Sequence, residues 1–380
     1  MLALLSCNGG TVTQGDGLAT RLLVATLYGV QIFEREIGES WARVANPLSE
    51  YHISALLYEP ESGLVFAGGH YDAGLWVSED LGGTWSACNE GLESRHIYCL
   101  AAQRREDGVR LWLGTEPPML YRSDDLGKSW TAMPGMLKVD MDKWTFPPPP
   151  HVAHVKNIAF HPARPDSVFI CIEQGALLKS EDEGVSWSEV TGYESSEDFF
   201  YNDNHRVIFK PSDPDDFVMS GGEGIYRSVH GEWQHLTTRD DRIGYPDAMF
   251  RDPRDEKVLI VGGPQNAPRK WRDQDRPMAN PTVLRSDDDG VTWKSLNEGL
   301  PEITGNIEGM GLHDYGSGFS LYAGTATGEI YHSDDCGLHW LLLADHMPPI
   351  SKGGHYRWFL TEQQRAEIED ELRKTKAVQA

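Results

Sequence analysis

Five segments of one pattern, S-[ED]-D-x-G-x-[STH]-W, recur along the chain: 78–85 (SEDLGGTW), 123–130 (SDDLGKSW), 180–187 (SEDEGVSW), 286–293 (SDDDGVTW) and 333–340 (SDDCGLHW). Two degenerate copies, 37–41 (IGESW) and 230–233 (HGEW), fill the gaps in the series. The seven tryptophans at 41, 85, 130, 187, 233, 293 and 340 are therefore spaced by 44, 45, 57, 46, 60 and 47 residues. A period of that size implies one supersecondary unit per repeat, each unable to bury its apolar face alone and stacked on its neighbours. Every copy reads as a hairpin turn. Its Asp and Ser bond the turn's own amides, its Gly takes a positive-φ position, and its Trp opens the next strand and packs between units.

Alternation of apolar and polar residues around each turn supplies the remaining strands. It predicts an all-β chain, with residues 1–380 forming a single seven-bladed β-propeller of four-stranded blades. The blades fall at approximately 21–46 plus 355–360, 52–88, 96–133, 154–190, 203–237, 245–296 and 305–345. The first unit shows three strands, 22–26, 30–34 and 41–44, with no inner strand directly before them. The segment 354–360 (GHYRWFL) looks like the inner strands elsewhere, so it is expected to close the ring and remove an exposed sheet edge. Residues 361–374 (TEQQRAEIEDELRK) predict a short C-terminal helix with Thr361 as its N-cap.

The repeated turn resembles the Asp-box (BNR) repeat of sialidases and related glycoside hydrolases, and the resemblance covers nearly the whole chain. It implies the propeller and little about activity, because in that family the box lies on the periphery, away from catalysis. The chain also lacks the sialidase catalytic residues: no F-R-I-P-type segment stands near the start, and no three arginines fall around the hub.

Charge narrows the partners. With 34 Lys and Arg against 58 Asp and Glu, the formal charge is −24, which argues against nucleic-acid and anionic-membrane surfaces. The five cysteines, Cys7, Cys88, Cys99, Cys171 and Cys336, are scattered and odd in number, a pattern that suits a reduced, cytoplasmic setting. Residues 1–7 (MLALLSC) end like a lipoprotein cleavage box, but they lack a basic region and a full-length apolar run, so export is the less favoured expectation. Nothing in the sequence fixes an oligomeric state.

Function should lie where inner strands begin around the channel. Aligned on their final apolar residue, the inner strands of successive blades carry His355, His52, His96, His154, Asp203, Gly244 and Asn306 at one register. Two residues on, pointing the same way, come Arg357, Ser54, Tyr98, Lys156, His205, Pro246 and Glu308. The ends of the next strands add His70, Glu116, Glu173, Glu223 and Gln265. Imidazoles converging from separate strands suit a divalent transition metal (Zn, Fe, Cu or Mn), held by His52, His96, His154, His355 and Asp203. Glu116, Glu173, Glu223 and Tyr98 are the catalytic candidates. Structurally, such histidines can also cap backbone groups or hold channel waters.

Two long insertions are expected on the same face, and a third stretch adds aromatics near it. The first, 134–153, carries Trp144 and Phe146 ahead of Pro147–Pro150, a stiff run that could hold the two rings over the mouth. The second, 264–281, carries Trp271 within the chain's one basic cluster, and the third, 193–204, carries Phe200 beside Asp203. Together with His70 and His205 they predict a pocket for a small-molecule substrate. The leading expectation is a metal-dependent hydrolase or lyase, with an oxygenase next. The alternatives are an Asp-box-type glycoside hydrolase using paired carboxylates, and a non-catalytic binding or assembly propeller. Walker loops, G-x-S-x-G elbows and H-E-x-x-H helices are absent.

Overall fold

The computed structural model describes residues 1–7, 10–141, 144, 152–190, 203–238, 240–272, 277–368 and 370. Seven separate sheets are built in chain order around one axis, antiparallel except where the N-terminal segment joins two of them. From the second blade to the sixth, their inner strands are Ile53–Glu59, Ile97–Arg105, His154–Phe160, Asn204–Lys210 and Ala248–Asp252, and Ile307–Asp314 follows in the seventh. The core lies between blades, where the two faces of neighbouring sheets meet. Met310, Ile260 and Leu321 are packed there without measurable exposure, as are Ile170 and Trp112.

The five repeated turns share one set of bonds. In the second blade Ser78 Oγ donates to Asp80 Oδ1 at 2.8 Å and accepts the Gly82 amide at 2.7 Å, while Asp80 accepts both the amide and the hydroxyl of Thr84 at 2.8 Å. The same bonds recur around Ser123, Ser180 and Ser286, and around Ser333 with the His339 ring in place of the hydroxyl. The residue before each glycine is left-handed as well as the glycine itself, as at Leu81 (φ 57) and Gly82 (φ 96). Locking these amides holds two consecutive positive φ angles that the chain would otherwise resist. Trp130 and Trp340 then reach back to the preceding blade, donating to the carbonyls of Cys88 (3.1 Å) and Leu296 (2.7 Å).

Ring closure differs from the sequence expectation. The inner strand of the first blade is Leu2–Leu5, paired in parallel with Arg21–Thr26, and residues 355–360 form no strand. Past a bridge between Ser6 and Met310, the chain pairs again in parallel, through Thr11–Gln14 against Ile307–Asp314. One N-terminal segment therefore ties the seventh blade to the first. The physical reason is burial: Leu2, Leu4 and Leu5 are 6%, 2% and 0% exposed, worth on the order of 5–9 kcal/mol for three leucines. His355–Trp358 instead makes a 3₁₀ turn with no buried residue. The helix that follows is present over 362–368, and its cap is reciprocal: Gln364 N–H donates to Thr361 Oγ1 at 3.2 Å, and Thr361 N–H to Gln364 Oε1 at 2.9 Å.

Candidate functional site

A shared backbone irregularity builds the hub. Five inner strands carry a β-bulge at their second residue or close to it, shown by register jumps between Ile53 and Ala55, Ile97 and Cys99, Val155 and Asn157, Asn204 and Arg206, and Ile307 and Gly309. The skipped residues are Ser54, Tyr98, Lys156, His205 and Glu308. A bulged residue is released from the ladder and its side chain is re-aimed, here into the channel. All five are buried, at 0%, 3%, 0%, 0% and 1% exposure. In the sixth blade Ala248 is the first paired residue, so Asp247 takes the equivalent place. The sequence register gave that place to Pro246, one residue early.

Asp247 is the principal residue missed. Its carboxylate meets Lys156 Nζ at 3.3 Å and also pairs with Lys352. Lys156 Nζ is shared with Glu173 Oε2 at 2.9 Å. Lys352 descends from the C-terminal segment that crosses the hub, where Ser351 O accepts from His52 Nε2 at 2.7 Å and Glu308 accepts the Lys352 amide at 3.1 Å. Burial alone would raise the carboxyl of Asp247, but the two lysines hold it below the usual range, and Glu173 is likewise held well below. Burial opposes the charge on Lys352, yet Asp247, Glu173 and Glu308 keep it raised well above an ordinary lysine.

Apart from His205, the predicted histidines divide into three groups. His52, His70 and His96 follow one another as tilted rings, with centroids 4.4 and 4.6 Å apart, beside the exposed ring of Tyr71, 5.3 Å from His96. Burial keeps them neutral, lowering His52 to about 4 and depressing His70 and His96. The Nε2 atoms of His70 and His96 are buried without a hydrogen-bond partner. His154 lies deeper, between two carboxylates: Nε2 is 2.8 Å from Glu173 Oε2, and Nδ1 is 3.4 Å from Glu116 Oε2. Tyr98 stacks on it at 3.5 Å, its hydroxyl kept protonated by burial and by Glu173. His355 stands apart, bonding Glu308 through Nδ1 at 2.7 Å and packing on Trp271 and Trp358. His52, His96, His154 and His355 are not gathered within ligand distance of one point.

One group among the described residues is so gathered: Glu173, Asp203 and His205, all buried, each offering an atom within 4.8 Å of the others. The proton inventory of this group is informative. His205 Nδ1 is 2.6 Å from the carbonyl of Pro246, which can only accept, so Nδ1 carries the hydrogen. A neutral ring then presents a bare Nε2 to Asp203 Oδ1 at 3.3 Å, acceptor against acceptor, and neither atom has a hydrogen-bond partner. Such a pair calls for a cation or a second proton between them.

The remaining candidates are placed less directly. Glu223 is buried at the turn beside Asp203, with its carbonyl accepting from His235 Nε2 at 3.0 Å. Trp144 packs over the turn at Gly175, next to Glu173, where a Cβ would stand 3.1 Å from its ring. Trp271 is wholly buried, donates to Asn266 O at 2.7 Å and anchors the segment after Lys352. Phe146 and Phe200 lie outside the described residues.

No family model and no curated protein matches the chain in sequence. Solved structures do match in shape. An ancestral GH74 enzyme aligns with a TM-score of 0.59 at 16% identity over 77% of this chain, and Niastella koreensis GH74 with 0.58 at 16% over 88%. This chain spans only 38% and 54% of those two proteins. The WD40 β-propeller domain of Doa1 aligns with 0.55 at 10% identity, over 88% of this chain and 95% of that one. At such identities the likeness is one of fold, and the fold is a seven-bladed β-propeller.

Proposed function

We propose that the chain is a metal-dependent enzyme acting on a small organic molecule, with the ion held by Glu173, Asp203 and His205. The observation that carries this reading is the buried Asp203–His205 pair, two acceptors facing each other with a third carboxylate in reach. Two oxygens and one imidazole nitrogen suit Zn, Mn or Fe. The Pro246 carbonyl on the far nitrogen of His205 supplies the orienting bond that metal-binding histidines require. When bound, such an ion supplies Lewis acidity for hydrolysis or elimination.

The neighbouring residues have separate work. His154, held between Glu116 and Glu173, can take a proton at Nδ1 while Glu173 keeps the ring oriented through Nε2. Tyr98 remains a proton donor. His52, His70 and His96 line the approach as neutral, polar walls. Paired-carboxylate glycoside hydrolysis is disfavoured, because Glu116 and Glu173 both face His154, which fills the space a sugar would need.

The test is elemental analysis and Zn²⁺ or Mn²⁺ titration of tag-free protein, beside Asp203→Asn and His205→Ala. One ion per chain is expected, lost or weakened at least a hundredfold in both variants, together with hydrolysis of an aryl-ester panel. Absence of stoichiometric metal after reconstitution assigns the Asp203–His205 pair to a shared proton and overturns the proposal.

A further inference from the structure

A second chamber lies farther along the same channel. It is a cavity of about 410 Å³ lined by the later residues of the inner strands, and the Lys156 side chain forms the wall it shares with the hub. Its volume falls within the range of small-molecule sites. Its lining is mixed, with Leu56, Leu100, Phe209 and Phe250 standing among polar groups.

Its charge is unlike that of the rest of the molecule. The chain has 58 acidic residues against 34 basic ones, yet the described lining holds three cations, Lys156, Arg206 and Arg251, and no Asp or Glu. Two of those cations are matched: Lys156 by Glu173 and Asp247, and Arg251 by Asp289 at 2.9 Å. Arg206 is different. Its Nη1 donates to the Gly10 carbonyl at 2.8 Å and its guanidinium lies 5.8 Å from the Phe250 ring, but among the described residues no carboxylate reaches it. Its Nε is buried with no acceptor. Burial lowers this arginine only to about 10, so it stays charged at neutral pH. A half-buried guanidinium with no described carboxylate partner, standing at a cavity, is a seat for an anion.

We infer that this chamber binds a small carboxylate with an apolar tail, the carboxylate on Arg206 and the tail against Leu56, Leu100 and Phe209. A guanidinium is the group suited to a planar carboxylate, and one unmatched cation selects a monoanion.

Calorimetric titration of the full chain with octanoate and with 1-octanol tests this. Octanoate is expected to bind one per chain and at least tenfold more tightly than 1-octanol. Arg206→Leu should remove that difference while leaving 1-octanol unchanged, and Ala159→Leu, which fills the chamber and keeps the charge, should weaken both probes tenfold or more. Circular dichroism checks the fold of each variant, and Ala159→Leu stands alone if Arg206→Leu does not fold. Octanoate binding no tighter than 1-octanol, or unchanged in the folded variants, overturns the inference.

Discussion

Replacing Asp247 with alanine is the most incisive perturbation of the hub, because one carboxylate serves two buried lysines. Lys156 and Lys352 are 0% and 6% exposed, and Asp247 itself 2%. Without Asp247, Lys156 keeps Glu173 at 2.9 Å, whereas the Lys352 ammonium loses its hydrogen-bonded partner and retains only more distant carboxylates. Removing one member of a buried pair typically costs about 3–5 kcal/mol. The expected loss for Asp247→Ala is therefore at least about 3 kcal/mol, read as a shift of the urea midpoint at unchanged slope. The carboxyl of Asp247 is depressed by the lysines, so its contribution is present above pH 3.8 and disappears as pH falls through its lower folded value. The double variant Asp247→Ala, Lys352→Met should recover much of the loss by removing the stranded charge. A cost below about 1 kcal/mol for the single variant, or no recovery in the double, refutes the argument.

Closure by the N-terminal segment predicts that Leu4→Asp, placing a charge at a 2% exposed position, costs at least about 3 kcal/mol, whereas Arg357→Asp, at an exposed position of 355–360, leaves the denaturation midpoint nearly unchanged. Equal damage from both changes would contradict that assignment. His52, lowered to about 4, and the depressed His70 and His96 bind fewer protons folded than unfolded, so metal-free protein should lose stability as pH falls from about 6.5 towards 5. The slope is about 1.4 kcal/mol per pH unit for each proton. His52→Gln should reduce it by about one proton, and a flat profile in wild type across that window refutes the neutral-histidine picture.

The propeller was legible because its turns are local. Ser78, Asp80 and Gly82 write their geometry into eight residues, and four further copies repeat it at blade spacing. Closure was not legible, because residues 1–7 read as the end of an export signal while 354–360 had the look of an inner strand. Alternation alone does not reveal that Leu2–Leu5 will run parallel to its partner, or that Thr11–Gln14 will do the same against Ile307–Asp314. The hub was half legible. The register that placed Tyr98, Lys156, His205 and Glu308 inward found the bulge positions without their cause, and it slipped by one residue in the sixth blade. Asp247 was lost to that slip. Lys352 lies on no strand and had no periodic signal to carry it. The expectation of one four-histidine ion took register for distance. Seven blades set equivalent positions around a wide ring, and equivalence does not bring side chains to one point.

The bulges also explain why this channel can hold charge at all. A regular inner strand turns alternate side chains towards its two neighbouring blades, which are apolar here. One unpaired residue per blade escapes that rule, and six blades use it to set Ser54, Tyr98, Lys156, His205, Asp247 and Glu308 around one axis. Their ionic members satisfy one another through Glu173 and Lys352, which fixes Lys156 across the channel. That lysine leaves Glu173 with Lys156 and His154 on one oxygen, and the Asp203–His205 pair beside it unmatched. On the other side it leaves Arg206 without a carboxylate in a chamber whose described lining holds no Asp or Glu. The two unmatched groups are of opposite sign, one asking for a cation and the other for an anion, and Lys156 with its partners lies between them. A substitution confined to one chamber should therefore leave ligand affinity in the other unchanged, whereas Lys156→Met should disturb both.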